Sequence, residues 1–302
     1  TVNVDETNLI PTDTDSNSVS ADFGNDAPGT LTVTGTGSVT FTAATNDQPT
    51  SYGVPVDITV VGNSYVGKAG TEDIFTLDLN QTTGQYTFTL IGTLDHKDIT
   101  DHDDTIQLKF GVTATDNDGD TAPATITVNV KDDGPFILGR STSFWEGNLV
   151  NNPSFSVTRT LDYDYGEDGA GEINPTGNAY SVHTQNGPAQ PITSNGQLVT
   201  VSETPHGYKG VSSGGETIFT LTLNNNGQYT YEQFAALDHP DSTKHDEIIW
   251  LKFEVEIVDA DGDTDIAIIT VDVRDAGPDA IDDTDTVGQN ETTITGNVID
   301  ND

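Results

Sequence analysis

The stretch Ile106-Gln107-Leu108-Lys109-Phe110-Gly111-Val112-Thr113-Ala114 places an apolar residue at every even position and Gln, Lys, Gly or Thr at every odd one. Successive side chains of a strand point to opposite faces, so this is the pattern of a half-buried strand. Ile126, Val128 and Val130 repeat it, as do Phe75, Leu77 and Leu79, and Tyr86, Phe88 and Leu90. No segment of a dozen residues carries the 3.6-residue stripe of an amphipathic helix. Thr, Val and Ile enrichment, with Gly, Asn and Asp clustered between the runs, agrees with hairpins. The predicted class is all-β, with antiparallel strands.

The pattern recurs 143 residues later, where Ile249, Leu251, Phe253, Val255 and Ile257 form the counterpart of the first run and Ile269, Val271 and Val273 that of the second. Aligned without gaps, residues 84–135 and 227–278 are identical at 29 of 52 positions, which makes the chain a tandem duplication. Upstream, Ile74-Phe75-Thr76-Leu77 matches Ile218-Phe219-Thr220-Leu221, and Asp22-Phe23-Gly24 with Asp26 resembles Asp164-Tyr165-Gly166 with Asp168. Glu6 and Glu146 correspond near the two starts. Each unit closes on a similar phrase after an apolar strand, Asp132-Asp133-Gly134-Pro135 and Asp275-Ala276-Gly277-Pro278. Pro cannot continue a central strand and Gly releases the backbone, so these phrases mark boundaries. Domains are expected at 1–135 and 136–278, with 279–302 the start of a third repeat or a linker. Units of this length exceed solenoid repeats, and each is expected to fold as its own sandwich.

Ten Lys and Arg stand against 49 Asp and Glu, a formal net charge of −39. Such a surface repels polyanions, which excludes nucleic acid as a general partner. The strong period-two pattern argues against disorder despite the acidity. Absence of Cys removes disulfides, thiolate metal sites and cysteine nucleophiles. No stretch approaches the roughly 20 apolar residues of a membrane span, so no membrane insertion is expected, and the N-terminus lacks a signal-peptide pattern. With no Met in the chain, we expect a segment of a longer protein.

The sharpest chemical constellation is Asp116-Asn117-Asp118-Gly119-Asp120, repeated as Asp259-Ala260-Asp261-Gly262-Asp263, between two strands of each unit. Three carboxylates at alternate positions converge when Gly lets the loop curl, and dense hard oxygen ligands suit Ca²⁺. The spacing is not that of an EF-hand. Asp-Gly is also a favoured hairpin turn, but recurrence of all three Asp favours the metal. A second candidate lies at the boundary. Asp132 and Asp133 end the first unit, Glu146 opens the second, and residues 162–168 bring Asp162, Asp164, Glu167 and Asp168. Ions shared there would fix the orientation of two domains; the competing reading is a hydrated linker. At the second boundary Asp275 is followed by Ala276, although Asp279, Asp282 and Asp283 lie close by.

Histidines form a third pattern, Asp95-His96 with His102-Asp103-Asp104, and Asp238-His239 with His245-Asp246-Glu247. Two His beside carboxylates can bind Zn²⁺ or another transition metal. The commoner role is to cap a turn or pack at a core edge with a carboxylate partner. Signatures of a nucleophile elbow, a phosphate loop or a zinc-protease helix are missing, so no enzyme is expected. Asn80-Gln81-Thr82 and Asn290-Glu291-Thr292 match a glycosylation pattern too frequent by chance to weigh.

The 143-residue period, the Asp-x-Asp-Gly-Asp loop, the Ala-x-Ile-Thr-Val strand at 124–128 and the closing Asp-Asp-Gly-Pro at 132–135 resemble the tandem repeats of giant bacterial RTX adhesins secreted by the type I route. The resemblance is strongest over 65–135 and 208–278, and residues 279–302 are similar to the opening of a cadherin-like or VCBS-type repeat. It implies tandem immunoglobulin-like or cadherin-like antiparallel β-sandwiches that bind Ca²⁺. It also implies a monomeric extender at the bacterial cell surface that contacts neighbouring repeats and serves adhesion and biofilm formation. The alternative is a module that binds a surface glycan or peptide. Phe144-Trp145, Tyr163, Tyr165, Tyr180 and Tyr208 of the second unit would supply its platform if exposed, although core packing is the commoner fate of aromatics.

Overall fold

The computed structural model describes residues 1–34, 40–41, 48–96, 101, 103–184, 186–241, 243–244, 246–277 and 289. His102, His245 and the start of a third unit lie outside these residues. The first repeat begins with β1 (Val2–Asp5), β2 (Asp13–Ser18), β3 (Thr30–Val33), β4 (Thr40–Phe41), β5 (Thr50–Ser51) and β6 (Val54–Val61). It continues with β7 (Ser64–Ala69), β8 (Glu72–Leu79), β9 (Gln85–Leu90), β10 (Thr105–Thr115) and β11 (Thr121–Lys131). One sheet runs β1-β11-β10-β3, with β4 also on β10, and the other runs β2-β9-β8-β7-β6-β5.

The second repeat opens with β12 (Phe136–Leu138), β13 (Arg140–Trp145), β14 (Phe155–Thr160), β15 (Asp162–Asp164), β16 (Ala170–Val182) and β17 (Ile192–Ser194). It then forms β18 (Gln197–Thr204), β19 (Gly207–Ser212), β20 (Thr217–Leu223), β21 (Gln228–Gln233), β22 (Ile248–Asp259) and β23 (Thr264–Arg274). Its sheets, β13-β23-β22-β16 and β14-β21-β20-β19-β18-β17, reproduce the order of the first repeat, with the single β16 in place of β3 and β4, and β12 and β15 add a short ribbon. The fold is all-β, two sandwiches of one topology.

One pairing departs from the antiparallel expectation. β1 lies parallel to β11 and β13 parallel to β23. Parallel neighbours need a long connection, and the rest of the repeat separates the first strand from the last. Local alternation reports which face a side chain takes and is silent on strand direction.

Each repeat has its own apolar core. In the first, Phe75, Phe88 and Phe110 meet Leu77, Leu108 and Val128, all buried; in the second, Phe219, Tyr231 and Phe253 meet Leu221, Leu251 and Val271. Tyr65 and Tyr208 are buried with their hydroxyls satisfied. Tyr65 donates to the Gly111 carbonyl at 2.8 Å, and Tyr208 donates to the Glu254 carbonyl. Buried phenols need such partners. The core position beneath each central ring is a glycine: a Cβ on Gly67 or Gly210 would sit 2.5 Å from the Phe75 or Phe219 ring.

Candidate metal centre

The β10–β11 and β22–β23 hairpins close with the same loop. Asp116 Oδ1 accepts from the Gly119 and Asp120 amides at 3.0 and 2.8 Å, and Asp259 Oδ1 accepts from the Gly262 and Asp263 amides at 2.9 and 2.8 Å. Gly119 and Gly262 have φ of +104° and +112°, where a side chain would be strained, so the loop needs glycine at that position. The surroundings differ. Asp118 and Asp120 are exposed, whereas Asp259 and Asp263 are buried and Asp261 is half-buried.

What buries the second loop is the end of the first repeat. Glu6 follows β1, His96 follows β9, and Asp132 follows β11. The parallel pairing of β1 with β11 brings Glu6 beside Asp132. Carboxyl oxygens of Glu6 and Asp132 and a His96 nitrogen lie within 4.8 Å of one another, as do oxygens of Asp168, Asp259 and Asp261 from the second repeat. Asp132 faces Asp263 across the junction. Glu6, Asp132, Asp168, Asp259 and Asp263 are all 4% exposed or less.

Oxygens of these residues lack partners: Glu6 Oε2, Asp132 Oδ2, Asp168 Oδ2 and Asp259 Oδ2, together with both carboxyl oxygens of Asp261 and of Asp263. Among the described residues no Lys or Arg forms an ion pair with any of the six; Lys131 pairs instead with Asp5 and Asp103. Buried charge without a partner is costly, and the pKa values express that cost. Burial, with the Asp261 charge opposing ionisation, holds Glu6 at about 7 even against the nearby His96 charge and the Leu94 amide. Burial, then the charges of Glu6 and Asp261, pushes Asp168 up to about 8. Asp132 is raised by burial and by Asp263 beside it. Burial works to lower His96, but the Glu6 and Asp104 carboxylates outweigh it and hold the imidazole at about 9. A carboxylate cage of this kind is satisfied by protons or by cations, and divalent ions with oxygen ligands fit it near neutral pH.

Two further groups hold the counterparts of the two halves. Asp26, Asp116 and Asp118 cluster in the first repeat, matching Asp168, Asp259 and Asp261, while Asp120 is exposed beside them. Glu146, His239 and Asp275 cluster in the second, matching Glu6, His96 and Asp132. Here the structure corrects the boundary expectation. Glu146 does not join Asp132 and Asp133. It follows β13, which runs parallel to β23 and ends opposite Arg274, ~33 Å along that strand from the Asp259–Asp263 loop. Its Oε1 accepts from the Leu237 amide at 2.7 Å. Asp133 Oδ2 instead accepts from the Glu167 amide at 2.9 Å, which ties the repeats together beside the cage. Asp164 is exposed and outside it, its Oδ1 accepting from the Gly166 amide. Sequence reasoning set His96 and Asp104 in a separate histidine pattern without joining them to the boundary acids, and left Glu6 unassigned. The signal was the recurrence of Asp-His and of the paired Glu in both units.

The aromatic candidates divide. Phe144 and Tyr208 are core residues, and Tyr163 and Tyr165 pack edge to face with ring centroids 5.4 Å apart. Trp145 and Tyr180 are exposed and share the outer face of the β13-β23-β22-β16 sheet with half-buried Trp250.

Residues 1–129 and 142–274 match the model of one family, described as "Domain of unknown function (DUF5801)". The chain belongs to this family. No curated protein matches it. Among solved structures, the chain is similar to the CupB6 tip adhesin from Pseudomonas aeruginosa, with 11% identity, 88% of this chain and 90% of that one covered, and a TM-score of 0.29. It is similar to Drosophila N-cadherin EC1-4 with 13% identity, 65% of this chain covered and a TM-score of 0.23, and spans 38% of that chain's length. CfaE, the adhesive subunit of the CFA/I fimbria of enterotoxigenic Escherichia coli, gives 8% identity, coverage of 91% and 98%, and a TM-score of 0.23.

Proposed function

We propose that the chain is a calcium-rigidified extender segment of a large bacterial RTX-type surface adhesin, with domains at 1–135 and 136–278 and with 279–302 the start of a third repeat or a linker. The observation that carries this is the junction. Glu6 and Asp132 of one repeat and Asp168, Asp259, Asp261 and Asp263 of the next bury unpartnered carboxyl oxygens against each other. Ca²⁺ shared by both sets holds the repeats at one angle. Without it, the six carboxyl groups must take up protons or push the repeats apart. Asp26, Asp116, Asp118 and Asp120 then await the end of a preceding repeat, and Glu146 with Asp275 the loop of a following one.

Each ion stabilises only the folded, docked state. With free Ca²⁺ about tenfold above Kd, one site contributes roughly 1.4 kcal/mol. At submicromolar Ca²⁺ inside a cell, sites of extracellular affinity stay unfilled, which suits export of an unfolded chain by the type I route and folding at the cell surface. Adhesion and biofilm formation follow from projecting a binding tip outward. Calorimetric titration with Ca²⁺ and small-angle scattering in Ca²⁺ and in EDTA test the proposal. Calcium uptake with elongation supports it, and a calcium-blind chain rejects it.

A glycan-binding module is the second reading, favoured by the outer face of Trp145, Trp250 and Tyr180. By strand register the steps between them are ~12 Å and ~8 Å, longer than one sugar ring, so the face suits an oligosaccharide more than a single sugar. A glycan array decides it.

A further inference from the structure

We infer that the histidine side of the junction is a transition-metal position, distinct from the oxygen-only calcium position beside it and held by Glu6, His96 and Asp132. The inference rests on the junction being a cation site.

His96 decides the chemistry. Its side chain is fully buried and its two nitrogens have different roles. Nδ1 is hydrogen-bonded to the Asp104 carboxylate and keeps its proton, so a cation that displaces the second proton of the imidazole takes the Nε2 lone pair as its ligand. Nε2 has no hydrogen-bond partner. It lies 3.8 Å from Glu6 Oε1 and 4.0 Å from Asp132 Oδ1, too long for hydrogen bonds. Donors on one tetrahedral Zn²⁺ stand about 3.3 Å apart, so a few tenths of an ångström of inward movement places all three on one ion. A carboxylate that holds the far nitrogen of an imidazole fixes its orientation and raises its basicity, as in carboxylate–histidine–zinc arrangements.

The ligand set selects the ion. Ca²⁺ takes oxygen donors, and imidazole suits Zn²⁺, Ni²⁺ or Cu²⁺. Asp168, Asp259 and Asp261 contain no nitrogen donor and remain a calcium position, to which Glu6 Oε2 and Asp132 Oδ2, the unpartnered second oxygens of the two bridging carboxylates, are still offered from the first repeat.

The same three donor types stand in the second repeat, without a carboxylate bonded to the far nitrogen of the imidazole. The His239 side chain is buried with both ring nitrogens lacking hydrogen bonds, its Nε2 3.4 Å from Glu146 Oε2, and half-buried Asp275 completes the group. Position and donor types are repeated in the duplicated unit, so one transition ion belongs to each repeat.

The test uses the 302-residue chain dialysed against micromolar Zn²⁺ in millimolar Ca²⁺, with bound zinc counted. Two zinc ions are expected, falling to one in His96→Gln or in His239→Gln, while Asp104→Asn weakens the first site about 10- to 100-fold. The calcium-induced rise in melting temperature should survive in the double histidine variant, so loss of zinc there is separable from loss of the calcium sites. Nitrogen-15 spectra of the unaltered chain give a variant-free readout. Zinc should shift Nε2 of both histidines. Zinc displaced by millimolar Ca²⁺, undiminished in the double variant, or without effect on Nε2 overturns the inference and leaves His96 and His239 as internal cations paired with carboxylates.

Discussion

Asp132, at the end of β11, and Asp263, in the loop before β23, come from different repeats, are fully buried, and face one another across the junction. Two like-charged groups in one desolvated space need a third party, and either protons or cations can fill that role.

The choice makes stability depend on pH in a defined direction. Glu6 and Asp168 have folded pKa values of about 7 and 8, above their unfolded values near 4, so the folded chain holds more protons between those limits. Their stability therefore falls as pH rises through that window. His96, at about 9 when folded against roughly 6.5 unfolded, adds stability that is fully present below the lower value and lost as pH rises through the higher. Both act in one direction. In EDTA the melting temperature should drop from pH 5 to pH 8, and in Ca²⁺ the drop should shrink because ions replace the protons. A melting temperature in EDTA that climbs with pH contradicts the assignment.

Equivalent loop residues should respond unequally. Asp261→Asn removes a half-buried, unpartnered carboxylate from the junction, and Asp118→Asn removes an exposed one. The first is expected to cost about tenfold in Ca²⁺ affinity at the junction, the second to leave that site unchanged. Titration calorimetry on the two variants measures this.

Glu6 and Glu146 provide a second contrast. Glu6→Gln should loosen the joint between the repeats, and Glu146→Gln should not, because Glu146 lies with His239 and Asp275. Calcium-dependent scattering profiles of both variants distinguish them.

In the cores, Gly67→Ala or Gly210→Ala would press a Cβ against a phenylalanine ring at 2.5 Å. Either should cost about 1–3 kcal/mol by overpacking, and Phe253→Ala about 3–5 kcal/mol by leaving a cavity. Denaturant melts in saturating Ca²⁺ report both.

Period-two alternation was enough to read strands such as β10 and β22 and their buried faces, because each residue's face is a local property. The parallel partners β1 and β13 were not legible, since their pairing spans the whole repeat. The acids of residues 259–263 and Asp132 stood out by recurrence. Which of them meet could not be read, because proximity along the chain misleads. Glu146 is closer in sequence to Asp132 than Glu6 is, yet β13 carries it away and β1 carries Glu6 in.

The central claim, that a shared cation fixes one repeat against the next, is tested most directly by a distance distribution across the joint. The chain has no Cys, so Val61→Cys on β6 and Leu198→Cys on β18, both exposed, can carry spin labels without competing sites. In millimolar Ca²⁺ the electron–electron distance distribution should be narrow, and in EDTA it should broaden, with the Asp261→Asn variant broad in both. A distribution of the same width with and without calcium would contradict the account.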